Sequence, residues 1–239
     1  MAYDDNPYRA PTYDLAANAP VDARSRFIMR TYTHLTGAIA AFIGLEAVLL
    51  NLPGIDGVVA TMFGGQFSWL MVLVAFMVVS WVAQKWAESD ASPAMQYLGL
   101  GLYVVAEAVI FLPLLYIASR FGGPQVIPAA GLITGVIFGG LTVIVFATRH
   151  DFSYLRTALG IAGLAAIGVV IAAMMFGFSL GILFSAAMIV LCSGYILYHT
   201  SNVLHHYNTD QHVAASLALF ASVATLFWYV LRIVMASRD

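Results

Sequence analysis

One acidic residue of this chain lies deep in an apolar segment, where an ionised side chain is costly. Glu107 lies near the middle of the segment GLGLYVVAEAVIFLPLLY. Acids within membrane segments face the interior of a helix bundle or a wet cavity, and they are functional-site hypotheses by default. The sequence therefore predicts that Glu107 lies on an ion or proton path. The alternative is a neutral glutamic acid hydrogen-bonded to a neighbouring helix.

Glu46 and two histidines extend this set of candidates toward the ends of their segments. For Glu46 the sequence favours an ion pair with Arg232 or Arg120, and a place on an ion path is the alternative. His34 and His199 are predicted to lie at similar depth, near the same membrane surface. A buried histidine can act as a switch near neutral pH, although a hydrogen-bonded core histidine is the more common case.

The last two apolar segments carry polar side chains at intervals. Tyr198, His199 and Thr200 lie near the end of one segment, and Ser222 and Thr225 lie within the next. A hydrogen-bonding group in hydrocarbon without a partner costs several kcal/mol. These groups are therefore expected to face each other or a wet cavity, and Ser222 joins the candidate set.

The composition indicates a membrane protein. Of 239 residues, 62% are hydrophobic and 9% are charged, whereas typical soluble domains carry about 25% charged residues. The single Cys192 excludes a disulfide framework, and the net charge of −2 indicates no nucleic-acid partner. Ser193 and His199 are predicted to lie on different faces of a helix, so no nucleophile lies beside a base. We expect no enzyme activity, no metal and no cofactor.

Apolar segments of about 20 residues span a bilayer as helices, and this chain has seven. They cover residues 27–50, 66–86, 94–118, 126–148, 156–176, 178–200 and 213–235. Their connectors are short, so the sequence predicts one all-α membrane domain, residues 27–239, surrounded by the lipid bilayer. The fifth and sixth segments are expected to form an antiparallel hairpin.

Residues 1–26 are polar and show no periodic apolar pattern. Such a segment buries too little apolar surface to order itself, and it lacks the apolar stretch of a cleavable signal peptide. We expect a flexible N-terminal tail. The alternative is an arm that orders on a membrane-protein partner.

The distribution of lysine and arginine predicts the orientation in the membrane. With a cytoplasmic N-terminus, seven basic residues lie on the inner side and three on the outer side. The inner set is Arg9, Arg24, Arg26, Arg30, Lys85, Arg149 and Arg156, and the outer set is Arg120, Arg232 and Arg238. Cytoplasmic loops carry an excess of these residues, so we expect the N-terminus to be cytoplasmic.

Small residues recur every four positions in two of the segments. Residues 131, 135 and 139 are glycines, and Gly177, Gly181 and Ser185 repeat the same spacing. Small residues at this spacing let the backbones of membrane helices approach closely. We expect both stripes to pack within one compact bundle.

Polar residues at the segment ends are predicted to be structural. Arg149 and Asp151 form an interfacial cap after the fourth segment, with Asp151 beginning the next one. Arg232 is a structural polar residue of the last segment. Residues 205–212 gather three histidines and an aspartate, and here we expect a solvated turn rather than a zinc site.

Three stretches carry a family pattern. Residues 138–155 read FGGLTVIVFATRHDFSYL, residues 193–200 read SGYILYHT, and residues 213–233 form most of the last segment. They resemble, in this order, the fourth-helix ending, a Ser-Gly-Tyr-Ile-Leu-Tyr-Asp-Thr motif and the final helix of the Bax-inhibitor-like (transmembrane Bax inhibitor motif) family. The resemblance covers residues 27–235 and is to the bacterial type of member.

The resemblance implies a seven-helix bundle with the last helix central, in a bacterial inner (cytoplasmic) membrane. It also implies a pH-sensitive leak of Ca²⁺ or protons, gated by two aspartates on the sixth and seventh helices. In this sequence the two positions are His199 and Ser222. Two nearby carboxylates can share a proton and titrate as a unit, which histidine and serine cannot reproduce.

Two functions follow as hypotheses. The first is a leak channel or transporter for Ca²⁺ or protons that uses Glu107, His199 and Ser222, with Glu46 and His34 as further candidates. The second is a non-conducting interaction or regulatory subunit of a larger membrane complex, such as a modulator of a membrane protease. In that case the N-terminal tail would be the docking arm.

Overall fold

The computed structural model describes residues 15–64, 67–89 and 92–237, and these residues form eight helices. The helices are α1 (Val21–Leu49), α2 (Ile55–Phe63), α3 (Ser68–Ala87), α4 (Pro93–Phe121), α5 (Val126–Thr148), α6 (Leu155–Phe176), α7 (Ile182–His205) and α8 (His212–Ala236). All except α2 are long and apolar enough to cross a membrane. The prediction of an all-α membrane protein with seven spans is confirmed.

Because successive spans run in opposite directions, their ends lie at two opposite ends of the bundle. The start of α1 and the α3–α4, α5–α6 and α7–α8 connections lie at what we call the N-terminal end. The α2 helix, the α4–α5 and α6–α7 connections and the end of α8 lie at the opposite, C-terminal end. As predicted, α6 and α7 form a hairpin, which turns at Gly177 with φ of 73°.

Two spans are longer than their apolar segments at the N-terminal end. The α1 helix begins at Val21 instead of residue 27, and α7 continues to His205 instead of residue 200. The added turns are polar, because hydropathy reports the thickness of the hydrocarbon layer and not the length of the helix that crosses it. Both helices therefore extend beyond the predicted apolar boundary.

The segment before α1 lies against the α7–α8 connection. Of the predicted tail, residues 1–14 lie outside the described residues. Leu15 forms an isolated antiparallel bridge with Asn208, and the Ala16 amide donates to the Tyr207 carbonyl at 2.9 Å. Ala16 is fully buried. This contact joins the start of the described chain to the connection that precedes α8.

The short helix α2 was not predicted. It follows Gly54, whose φ of 83° is in the left-handed region, and it packs Ile55 and Val59 against Leu112 of α4. The hydroxyl of Tyr116 donates to the Asp56 carboxylate. At nine residues, α2 is too short to span a bilayer.

Two helices share the centre of the bundle. Within the most apolar stretch of α4 and of α8, 61% and 50% of the residues are buried, against 11–22% in the other spans. The α8 helix packs on α1, α3, α4, α5 and α7. The ring of Phe42 on α1 lies 5.1 Å from Phe111 on α4 and 6.1 Å from Phe220 on α8. The last helix is therefore central, as predicted, and α4 shares this position.

The predicted glycine stripes do not form helix–helix contacts. A Cβ atom added at Gly131, Gly135 or Gly139 would meet no atom within 4 Å, and the same holds for Gly177 and Gly181. These glycines lie on surfaces that no other described helix covers. The prediction that these five glycines form seams inside the bundle was wrong, because spacing does not decide which helix face meets a neighbour. Ser185, the third residue of the second stripe, is buried.

Close helix contacts occur at other glycines. A Cβ atom on Gly99 of α4 would lie 2.5 Å from the Ala83 carbonyl oxygen and 2.5 Å from the Ala87 nitrogen of α3. A Cβ atom on Gly163 of α6 would lie 2.6 Å from the hydroxyl of Tyr195 on α7. At Gly99 only glycine leaves room for the neighbouring backbone, whereas at Gly163 the Tyr195 side chain would have to shift.

Candidate functional site

A groove between α3 and α6, with α7 and α8 at its base, contains two cavities. Their volumes are about 430 and 460 Å³. The cavity of 430 Å³, which we call the C-terminal cavity, is lined by residues of α3, α4, α6 and α8. The cavity of 460 Å³, which we call the N-terminal cavity, is lined by residues of α3, α6, α7 and α8. Five residues line both cavities, so the two are adjacent; they are Leu73, Phe76, Val170, Thr225 and Tyr229.

The C-terminal cavity contains the predicted acid Glu107. This side chain is only 3% exposed, and Tyr103, one helical turn earlier on α4, lines the same cavity. Arg232 lines the same cavity and donates from Nη2 to the Leu180 carbonyl at 2.7 Å. One carboxyl group and one guanidinium group thus share this cavity.

The N-terminal cavity contains both residues that replace the aspartates of the resemblance. His199 of α7 and Ser222 of α8 line it together with Cys192 and Tyr195. The His199 ring stacks on Tyr195 at a centroid distance of 5.9 Å, and its Nδ1 is buried with no hydrogen-bond partner among the described residues. Ser222 donates to the Ala218 carbonyl of its own helix at 2.9 Å.

Glu46 lies away from the groove. It is 4% exposed on α1, and neither carboxyl oxygen has a hydrogen-bond partner within the part of the chain that the structure describes. Arg232 faces the groove and binds Leu180, and the Arg120 guanidinium lies 5.6 Å from the ring centroid of Tyr116. The predicted ion pair of Glu46 was wrong, because both arginines point to other partners.

His34 also lies outside both cavities. Its ring centroid is 5.0 Å from that of His212 on α8 and 5.4 Å from that of Tyr97 on α4. The Tyr97 hydroxyl lies 3.4 Å from His212 Nε2, and His34 Nδ1 lies 2.6 Å from the Arg30 carbonyl. His34 and His199 therefore belong to separate clusters, and the sequence did not predict the pairing of His34 with His212.

Polar contacts join the α5–α6 connection to the end of α7. We call the contacts of Asp151 and Phe152 with Ser201 and His206 the clamp. Arg149 ends α5 with φ of 52°, and the Phe152 amide donates to Ser201 Oγ at 2.9 Å. His206 Nε2 lies 3.0 Å from Asp151 Oδ2, and the Ser153 amide donates to Asp151 Oδ1 at 2.9 Å.

The pKa of Asp151 reflects these contacts. Partial burial acts to raise it, but the hydrogen bonds from Ser153 and the proximity of His206 outweigh burial and lower the pKa below its usual value. The clamp is therefore stronger when Asp151 is ionised.

The three histidines of residues 205–212 have three different neighbours. His205 Nε2 lies 3.2 Å from the Arg149 carbonyl, His206 meets Asp151, and His212 meets His34. Among the described residues, no three histidine, cysteine, aspartate or glutamate side chains are gathered to hold a metal ion. Each histidine instead connects the α7–α8 connection, or the start of α8, to a neighbouring element.

Three tyrosines that line the cavities were not predicted, although their spacing from the predicted polar residues indicates them. Tyr103 precedes Glu107 by four residues, Tyr195 precedes His199 by four, and Tyr229 follows Thr225 by four. Residues four apart lie on one face of a helix. Extending each polar candidate along its own face would have predicted these tyrosines.

Comparison with known proteins identifies the family. Residues 24–239 match the family described as Inhibitor of apoptosis-promoting Bax1. Protein LIFEGUARD 2 of Arabidopsis thaliana is 25% identical over 95% of this chain and 94% of its own length. An uncharacterised membrane protein of Vibrio cholerae is 26% identical over 90% of each chain, and Bax inhibitor 1 of Schizosaccharomyces pombe is 28% identical over 57% of this chain and 51% of its own. This seven-span protein therefore belongs to the Bax inhibitor-1 family.

Proposed function

We propose that this protein is a leak pathway for protons along the groove between α3 and α6. The observation that carries the proposal is the adjacency of the two cavities at Thr225 and Tyr229. One cavity holds Glu107, and the other holds His199 and Ser222. Polar groups of α4, α7 and α8 thus follow one another along an otherwise apolar membrane interior.

The residues of the groove suit protons better than Ca²⁺. Calcium takes six to eight oxygen ligands, usually including several carboxylates, and among the described residues the two cavities are lined by one carboxyl group, that of Glu107. Arg232 lines the same cavity and repels a divalent cation. Proton transfer needs a chain of groups that can bind and release a proton, and Glu107, Tyr103 and His199 are such groups.

His199 is the proposed gate of this path. Among the α7 residues that line the N-terminal cavity, it is the one nearest to the N-terminal end of the bundle. Its ring lies between Tyr195 and Tyr198, at centroid distances of 5.9 and 5.1 Å. Its buried Nδ1 has no hydrogen-bond partner among the described residues and could bind a proton at this end of the cavity.

We further propose a bacterial inner-membrane location with the N-terminus cytoplasmic. Relatives from Vibrio cholerae and Pseudomonas aeruginosa support the bacterial membrane. Among described residues, the N-terminal end carries six basic side chains and the C-terminal end carries two. The six are Arg24, Arg26, Arg30, Lys85, Arg149 and Arg156, and the two are Arg120 and Arg232. This imbalance matches the excess expected on the cytoplasmic side. The orientation is tested by introducing a single cysteine at position 85 or at position 120 and labelling it in intact cells.

Flux measurements in proteoliposomes test the leak. Proton and Ca²⁺ flux are recorded from pH 5.5 to 8 for the wild type and for Glu107→Gln. We expect proton flux in the wild type and a loss of at least about tenfold in Glu107→Gln, because the amide cannot relay a proton. Glu88→Gln is the matched control, since Glu88 is exposed and pairs with Lys85 outside the groove.

A second variant tests the gate. His199→Asp combined with Ser222→Asp places two carboxyl groups in the N-terminal cavity. We expect this variant to change the pH dependence of flux, and to admit Ca²⁺ if a pair of acids is what a divalent ion requires. Absence of proton flux in the wild type and all variants would contradict the leak. It would leave the non-conducting subunit, which predicts co-purification with a larger membrane complex at fixed stoichiometry.

A further inference from the structure

A third cavity lies at the N-terminal end of the bundle and shares no lining residue with the groove. Its volume is about 260 Å³, and it lies between α1, α5 and α7. Three of its lining residues carry nitrogen-rich side chains, namely Arg24 of α1, Arg149 at the end of α5 and His205 of α7. We call it the basic cavity.

The positive charge of this cavity is not neutralised within the described part of the protein. Among the described residues that line it, none is an aspartate or a glutamate. Neither Arg24 nor Arg149 has an ion pair or a side-chain hydrogen bond among the described residues. Asp151, the acid nearest in sequence to Arg149, is engaged by His206. Two guanidinium groups therefore line one small cavity, and no described residue supplies their counter-charge.

Backbone hydrogen bonds fix the end of α5 that carries Arg149. Arg149 ends α5 in the left-handed region with φ of 52°, and its amide donates to the Val145 carbonyl at 2.8 Å. Its carbonyl lies 3.2 Å from His205 Nε2, which ties the end of α5 to α7. The backbone positions of Arg149 and His205 are therefore fixed relative to each other.

The rest of the lining indicates which anion fits. Ile28, Phe146 and Leu204 give the cavity an apolar side. The cavity also lies where α1, α5 and α7 reach the end of their spans, which is the depth of lipid headgroups. Guanidinium groups bind phosphate through paired hydrogen bonds, and basic cavities between membrane helices are suited to anionic headgroups.

We propose that the basic cavity binds a phosphate anion, carried by the headgroup of an anionic phospholipid. Arg24 and Arg149 bind the phosphate oxygens. Ile28, Phe146 and Leu204 contact the glycerol and the first carbons of the acyl chains. The bound lipid connects α1, α5 and α7 at the N-terminal end.

Native mass spectrometry of the purified full-length protein tests the site with phosphatidylglycerol and phosphatidylcholine as probes. We expect retention of phosphatidylglycerol over phosphatidylcholine. Arg24→Gln and Arg149→Gln should each weaken phosphatidylglycerol binding at least about tenfold, the effect expected when a hydrogen bond to a charged group is lost. Arg24→Lys should retain only part of the binding, because an ammonium group keeps the charge but not the paired hydrogen bonds.

Arg26→Gln is the matched control. Arg26 is exposed, lies two residues from Arg24 and does not line the cavity. Equal losses in Arg26→Gln and Arg24→Gln would overturn the site, because the lipid would then respond to overall charge. Equal retention of the two lipids would overturn it as well.

Displacement of phosphatidylglycerol by inorganic phosphate at millimolar concentration would support the anion site and overturn its lipid occupant. Unchanged thermal unfolding of the Arg24 and Arg149 variants in detergent is expected and shows that they fold.

Discussion

The two walls of the groove, α3 and α6, are held in different ways. The α3 backbone lies directly on Gly99 of α4, and α3 also packs on α2 and α8. The α6 helix packs mainly on α7, and its buried residues are Leu159 and Ala173 alone. One wall thus packs on both central helices, α4 and α8, whereas the other packs mainly on α7.

This difference indicates which wall sets the width of the groove. The hydroxyl of Tyr195 donates to the Leu159 carbonyl at 2.9 Å and lies against Gly163, so one α7 side chain positions the middle of α6. At the N-terminal end, the clamp of Asp151 and His206 holds the connection that leads into α6. Because both attachments are local, we expect α6 to move more readily than α3.

The largest expected effect is on the α3–α4 contact. Gly99→Ala places a Cβ atom 2.5 Å from backbone atoms of Ala83 and Ala87, which are not free to rotate away. We expect the free energy of unfolding to fall by about 3 kcal/mol, measured by denaturant titration in mixed micelles. Gly101→Ala is the matched control, since a Cβ atom there meets no atom within 4 Å. Equal stabilities of the two variants would contradict a rigid α3 wall.

Gly163→Ala should have a smaller effect, confined to α6. The new Cβ atom would lie 2.6 Å from the Tyr195 hydroxyl, which is the end of a side chain that can shift. We expect a loss of about 1–2 kcal/mol and a longer distance between spin labels on α3 and α6. Gly168→Ala, where the added Cβ meets no atom within 4 Å, should leave both quantities unchanged. A longer label distance in Gly99→Ala than in Gly163→Ala would reverse the assignment of the mobile wall.

Tyr195→Phe removes one hydrogen bond and keeps the ring that stacks on His199. The Leu159 carbonyl loses its side-chain donor, and we expect a loss of about 1 kcal/mol in unfolding free energy. Tyr154→Phe serves as the control because Tyr154 is 68% exposed. If the two variants were equally stable, the hydrogen bond to Leu159 would not be an attachment of α6.

The smallest effect concerns the pH dependence of the clamp. The pKa of Asp151 is lowered in the folded protein, so its contribution to stability is present above the unfolded pKa of about 3.9 and is lost as the pH falls through the folded value. Because the side chains of Asp151 and His206 are 44% and 46% exposed, we expect only a few tenths of a kcal/mol. Thermal unfolding of Asp151→Asn between pH 3 and 7 measures the change.

A double-mutant cycle separates this contact from other effects of Asp151→Asn. If the two side chains act through each other, His206→Asn combined with Asp151→Asn should cost less than the sum of the single variants. Additive losses would show that the clamp depends on Ser201 and Ser153 and not on the ion pair.

The candidate site could be predicted in part. His199 and Ser222 were singled out by motif resemblance and Glu107 by its place in an apolar segment, and all three line the groove. Glu46 was assigned to the wrong partners because the end of the membrane at which a residue lies does not tell which side of the bundle it faces. The pairing of His34 with His212 was missed for the same reason.

The amino-acid sequence by itself determined the seven spans, their order and the family. Hydrophobic length and motifs are local properties, and they can be read from neighbouring residues. The rotation of each helix about its axis was decided only in the tertiary structure, because it depends on contacts between residues far apart in the chain. That rotation turns the glycines at residues 131, 135 and 139 outward and places Gly99 against α3. It also brings Arg24, Arg149 and His205 to one cavity, since three separate helices have to present these side chains to the same point.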